Sequence, residues 1–206
     1  MTALLLRPSS FVLTGLVLLT ALAHKASAQQ PAPAAAQPHP IAVGGGYDYL
    51  RTNLLPGCNC FSINSGYGQV LVGVRPHVDF VLDVSGGHRG GITPDGYALT
   101  LLTYTAGFRY SPLKPYHRLQ PFGELLFGGS HDWGTLAPNG NGIGGHSNEV
   151  ALLTGGGLTL NLAHGFALQP VEVDYNYTNF RNGQTNHQNN LRLSTGVVYR
   201  FRPHGK

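Results

Sequence analysis

The chain has 206 residues with 29 Gly, 14 Pro, one Trp and one Met, a single-domain length and a composition that suits strands and turns better than helices. Its formal charge is +4, but the basic residues sit singly in turns or alternate with apolar ones, which excludes the clustered footprint of a nucleic-acid binder. Cys58 and Cys60 are the only cysteines; two ligands without a nearby partner do not make a zinc site, and no C-x-x-C redox motif exists.

Arg7 is followed by the apolar run F-V-L-T-G-L-V-L-L-T-A-L-A (11–23) and by A-S-A at 26–28. This pattern predicts a secretory signal peptide over residues 1–28, cut after Ala28. The run is shorter than the roughly 20 residues that a membrane-crossing helix needs. Removing the signal takes away Arg7 and Lys25 and leaves 11 Lys and Arg against 9 Asp and Glu, a net charge of +2. In an exported chain the leading reading of Cys58 and Cys60 is a small strained loop disulfide. Residues 29–40, Q-Q-P-A-P-A-A-A-Q-P-H-P, predict an extended Pro/Ala/Gln-rich leader.

From Ile41 onward eight alternating segments follow, near 41–50, 65–75, 78–87, 97–110, 119–131, 149–162, 166–178 and 190–202. Each reaches the roughly 9–11 residues of a tilted membrane-spanning strand. The predicted connections alternate long (51–64), short (76–77), longer (88–96), short (111–118), long (132–147), short (163–165) and long (179–189). The Gly- and Asn-rich stretch 137–148 is expected to be a mobile, exposed loop. Long loops at one end and tight turns at the other are the pattern of outer-membrane barrels.

The segment V-E-V-D-Y-N-Y-T (171–178) states the orientation problem, because successive strand side chains point to opposite faces. One face of the predicted strands carries Ile41, Val43, Tyr47, Val70, Val72, Phe80, Leu82, Val173, Tyr175, Leu193 and Val197. The other carries Asp48, Arg75, Asp79, Asp83, Arg109, Glu124, Glu172, Asp174, Arg192 and Arg200. An Asp or Arg facing mid-bilayer lipid costs roughly 2.5–3.5 kcal/mol, so the charged face is expected to point inward as a lumen charge network. Strands 7 and 8 are neighbours, and Glu172 or Asp174 with Arg192 or Arg200 is the preferred pairing. The fold class expected is all-β, an eight-stranded antiparallel transmembrane β-barrel over 41–202, with a tail at 203–206.

The last segment, S-T-G-V-V-Y-R-F (194–201), resembles the signal by which barrel-insertion machinery recognises outer-membrane proteins, with Gly196, Tyr199 and Phe201 at its key positions. With T-A-G-F-R-Y-S (105–111) and Q-P-F-G-E-L-L-F-G-G (120–129), it makes the chain resemble the OmpA-like small outer-membrane β-barrel family. Two departures are visible. R-P-H-G-K follows Phe201 where many such barrels end on the aromatic, and no peptidoglycan-binding domain follows, so anchoring through one is not expected. The resemblance implies a structural, adhesion or limited-permeability role, although some relatives are enzymes.

Chemistry is sought among the ten histidines. The nearest candidates, His131–Asp132 and His146–Ser147, are adjacent strand residues on opposite faces and do not form a dyad. The Gly-Gly-Gly runs at 44–46 and 155–157 lack the Lys-Ser/Thr of a phosphate loop. The reading is therefore a non-enzymatic monomer of the bacterial outer membrane with a largely plugged lumen. No catalytic, cofactor or metal residues are expected. Its partners would be outer-membrane lipid, the insertion machinery and an unknown loop ligand, with no nucleic acid. The alternatives are an outer-membrane lipid-modifying enzyme or protease, or a secreted soluble β-barrel binding protein.

Overall fold

Alternation of apolar and polar residues makes strands, and the only remaining question for each is which neighbour completes its ladder. The computed structural model describes residues 41–52, 60–113, 118–139, 142–180 and 187–201. The predicted signal peptide 1–28, the leader 29–40, Cys58 and the tail 203–206 lie outside the described residues; Cys60 is half-buried ahead of the second strand. The strands are β1 (Ile41–Thr52), β2 (Phe61–Arg75), β3 (Val78–Arg89), β4 (Leu99–Tyr110), β5 (Leu119–Asn139), β6 (Gly142–Asn161), β7 (Phe166–Thr178) and β8 (Gln188–Arg200). Each pairs antiparallel with its neighbours in chain order, and β1 pairs with β8 from Ala42↔Arg200 to Arg51↔Leu191, which closes the sheet into an eight-stranded barrel.

One end of the barrel is sewn together by short turns. Ser111 N–H donates to His77 O (2.9 Å), Asn161 N–H to Arg118 O (2.8 Å), Arg200 N–H to Gly165 O (2.8 Å) and Phe201 N–H to Ile41 O (2.9 Å). In the β6–β7 connection Phe166 N–H donates to Ala163 O (3.2 Å), and the two central residues of that turn, His164 at φ 61° and Gly165 at φ 87°, take the left-handed conformations that such a reversal requires. The opposite end carries the connections after β1, β3, β5 and β7.

Several boundaries differ from the sequence expectation. β2 starts at Phe61 and β8 at Gln188, each earlier than predicted. The larger correction concerns 132–148, expected to be a loop: His131↔Asn148, Asp132↔Ser147, Trp133↔His146 and Gly134↔Gly145 continue the ladder, and after a register shift so do Pro138↔Ile143 and Asn139↔Gly142. Loop-like composition conceals this because each added pair in a hairpin is local, so zipping costs little further closure entropy once the base has formed.

Burial is inverted relative to a soluble sandwich. Leu125, Phe127 and Phe108 are 57%, 62% and 56% exposed on the outer wall, whereas Asp174, Glu172 and Arg192 are at most 1% exposed inside. Around the outer wall Tyr47, Tyr104 and Tyr175 form an upper aromatic rim toward the loops, and Phe108, Tyr110, Phe166 and Phe201 a lower one by the turns. The upper phenols bond to polar neighbours: Tyr47 OH donates to Asn64 Oδ1 (2.7 Å), and Tyr175 OH to Asn189 Oδ1.

The narrow barrel also explains where glycine is obligatory. A Cβ on the inward side of Gly46 would collide with the carbonyl of Thr195 on β8, whereas one on the outward Gly66 would meet only Gly46 O at 3.7 Å. Gly46→Ala is therefore expected to reduce the fraction of protein refolding to the heat-modifiable form on detergent gels. Gly66→Ala should leave that fraction unchanged.

Candidate functional site

The inward positions of β1, β3, β7 and β8 carry Asp48, Asp83, Asp174 and Arg192, and the register sets them around one node. Arg192 donates from Nη1 to Asp83 Oδ1 (2.8 Å) and from Nη2 to Asp83 Oδ2 (3.0 Å), a fork that matches the carboxylate geometry. Its Nε reaches Ser194 Oγ (3.0 Å), Asp48 Oδ1 (3.3 Å) and, more distantly, Asp174 Oδ2 (3.8 Å). The guanidinium lies 5.3 Å from the centre of the Tyr67 ring.

A second node lies nearer the turns. Arg109 of β4 donates from Nε to Glu124 Oε2 (2.7 Å) and from Nη2 to Gln69 Oε1 (2.9 Å), with Glu172 Oε2 at 3.6 Å. Gln69 passes the chain of bonds across the lumen, donating to Gln169 Oε1 (2.8 Å), and Gln169 donates in turn to Glu172. The Arg109 guanidinium sits 3.9 Å above the Phe122 ring. Glu124, Glu172 and Asp174 each bring a carboxylate oxygen within 4.8 Å of the others, and Arg109 supplies positive charge to the first two.

Of the ten residues expected in a lumen network, the structure thus gathers seven into two nodes. Arg75 is corrected: it is exposed beside the β2–β3 turn, because a register irregularity between Gly73 and Arg75 breaks the alternation there. Asp79 and Arg200 are half-buried toward the turns, with Arg200 Nη2 3.5 Å from Gln120 Oε1. The pairing preferred from sequence exists as Asp174–Arg192, but the short bonds of Arg192 cross the lumen to β3. Charge counting passes over Gln69, Gln169 and Tyr67. Simple alternation would also turn Gln169 outward with Val171 and Val173; the irregularity between Gln169 and Glu172 turns it in.

Apolar layers bound these nodes. Toward the loops, Leu50, Phe61, Ile63, Leu99, Leu101 and Phe180 pack together inside the barrel, joined by Ile92 and Tyr97. Phe180 lies beyond the end of β7 and is 1% exposed; its carbonyl accepts a hydrogen bond from Gln188 Nε2 (3.1 Å). Toward the turns, Ala42, Leu71, Ala167 and Val198 pack with Val81, Leu126 and Leu153. Beneath the upper layer is a cavity of about 10 Å³ bordered by Asp48, Leu50, Leu101, Asn176 and Arg192, about the room of one water molecule. Asp48 Oδ2 and Asn176 Oδ1 are without hydrogen-bond partners.

The catalytic candidates stay separated. Asp132 is buried inside and accepts a bond from Ser147 N–H (3.0 Å), whereas His131 stands on the outer wall with Nδ1 at 2.7 Å from Asn148 Oδ1. In the insertion-signal segment, Gly196 faces inward against the Tyr67 hydroxyl, and Tyr199 and Phe201 meet edge to face at 5.0 Å.

Comparisons with protein-family models and with curated proteins find no match. Among solved structures the chain is similar to Neisserial surface protein A, with a TM-score of 0.59 at 14% identity, covering 78% of this chain and 97% of that one. It is similar to Ail, the attachment invasion locus protein of Yersinia pestis, in complex with the heparin analogue sucrose octasulfate, with a TM-score of 0.55 at 15% identity over 80% of this chain and 100% of that one. It is also similar to the outer membrane protein OprG from Pseudomonas aeruginosa, with a TM-score of 0.52 at 12% identity over 80% and 97% of the two chains. The fold is that of the small eight-stranded outer-membrane β-barrels. In a barrel of this kind an apolar outer belt meets lipid and the polar positions fill the interior, the distribution found here.

Breaking one side of a buried ion pair costs roughly 3–5 kcal/mol, because the remaining charge is left desolvated. Arg192→Ala is expected to lower unfolding stability in detergent by about that amount. Arg192→Ala combined with Asp83→Ala should cost less than the two single changes together, and urea titrations of the four proteins measure the coupling.

Proposed function

We propose that this chain is a non-enzymatic, monomeric barrel of the bacterial outer membrane with a structural, adhesion or limited-permeability role and a lumen closed to bulk flow. The observation that carries this reading is the filled interior: an apolar layer built around Phe180 closes the loop end, and two arginine nodes brace the middle. An eight-stranded barrel has an interior just wide enough for side chains to fill it. Its partners would be outer-membrane lipid, the insertion machinery and a ligand at the loop end. The neighbours are outer-membrane proteins of similar fold, which supports the location.

The test is electrical. Refolded protein in planar bilayers should show little or no steady conductance, and stable porin-like conductance would overturn the closed-lumen reading. Phe180→Ala should introduce flickering leaks. These should favour cations, since Asp48, Asp83, Glu124, Glu172 and Asp174 face only Arg109 and Arg192 in the two nodes.

Location and topology are tested separately. The protein should fractionate with outer membranes. An epitope inserted between Gly140 and Asn141 should be reached by antibody on intact cells, and one inserted between Pro76 and His77 only after permeabilisation. The opposite pattern would invert the barrel.

A further inference from the structure

The extended β5–β6 hairpin carries a second group of chemically active side chains, on the wall opposite the lumen. Its register sets His131 across from Asn148 and Trp133 across from His146. All four project outward, since Asp132 between His131 and Trp133 is buried inside. His131 and His146 are diagonal neighbours, with ring centres 6.1 Å apart. They lie above the outward-facing Leu125 and Phe127 and on the loop side of Tyr104, beyond the apolar belt.

We propose that His131 and His146 form a two-imidazole binding site for a late first-row divalent transition-metal ion, Cu²⁺ above Ni²⁺ and Zn²⁺ in affinity. The spacing suits one shared ion with the two rings nearly trans across it: at metal–nitrogen distances of about 2.0–2.1 Å the ion lies about 3.2 Å from each ring centre, so rings on opposite sides of one ion have centres about 6.4 Å apart. The tautomer suits it as well. Asn148 Oδ1 only accepts, so the Nδ1 of His131 that approaches it to 2.7 Å carries the proton, and the lone pair is on Nε2. An outer hydrogen bond of this kind orients metal-ligating histidines and raises their basicity. His146 is exposed and His131 half-buried, which leaves room for water to complete the coordination. Imidazole ligands favour late transition metals, with Cu²⁺ highest in the order of affinities.

The molecule carries its own reporter. Trp133 is the only tryptophan in the chain, and its ring centre lies 5.1 Å from that of His131. Untagged full-length protein, refolded in detergent and checked for heat-modifiable migration, is titrated with Cu²⁺ while Trp133 emission is followed. Saturable quenching is expected, with release by excess Zn²⁺. His131→Gln and His146→Gln should each raise the Cu²⁺ midpoint at least tenfold, and Asn148→Ala about tenfold through the lost orienting bond. A His88→Gln, His187→Gln double variant should titrate like the parent. Quenching that does not saturate, or a midpoint unchanged by His146→Gln, would overturn the shared site.

Discussion

The structure depends first on closure of the sheet. In lipid, a backbone N–H or C=O without a partner costs several kcal/mol, so a strand can cross only if both of its edges are paired. The β1–β8 ladder meets that condition by joining the first and last strands of the barrel. Once the ring is closed at eight strands its radius is fixed, and with it the space available inside. Glycines are needed where neighbouring backbones crowd the inner wall, as at Gly46 and Gly196, where Tyr67 fills the space that a side chain would have taken.

Closure also dictates the chemistry of the interior. Charges turned away from lipid cannot reach bulk water through a lumen this narrow and must satisfy one another. Arg192 and Arg109 therefore each serve several acceptors, and neutral amides extend the network where no charge is available. The acidic residues of these nodes outnumber the arginines, so the nodes have a negative bias. The apolar layers above and below separate them from the solvent at either end. Rigidity and a filled interior thus arise from the same packing.

The outer wall obeys a different solvent. Its middle is apolar, and its upper rim is tyrosine, with the hydroxyls of Tyr47 and Tyr175 bonded to Asn64 and Asn189, an arrangement suited to the boundary between hydrocarbon and water. Beyond that rim the β5–β6 hairpin continues as paired strand. Regular backbone there holds His131, Trp133, His146 and Asn148 in a defined mutual geometry that a mobile loop would not maintain.

The sequence by itself determined the strand number, the rhythm of turns and loops, and which face of most strands is charged. Each of these follows from a period of two and from turn residues, both local properties of the chain. Local alternation failed where the ladder itself shifts: at Arg75, which is left exposed, and at Gln169, which is turned into the lumen. The β5–β6 extension was hidden because pairing depends on a partner strand, and the local hint was the two Asn-Gly pairs at 139–140 and 141–142, of the kind favoured in tight hairpins. Only the closed barrel decided that Arg192 would reach Asp83, 109 residues away, and that Phe180 would fill the mouth. Such contacts run across the lumen between strands that are not neighbours, and that distance is set by the barrel's circumference, which no local pattern of residues encodes.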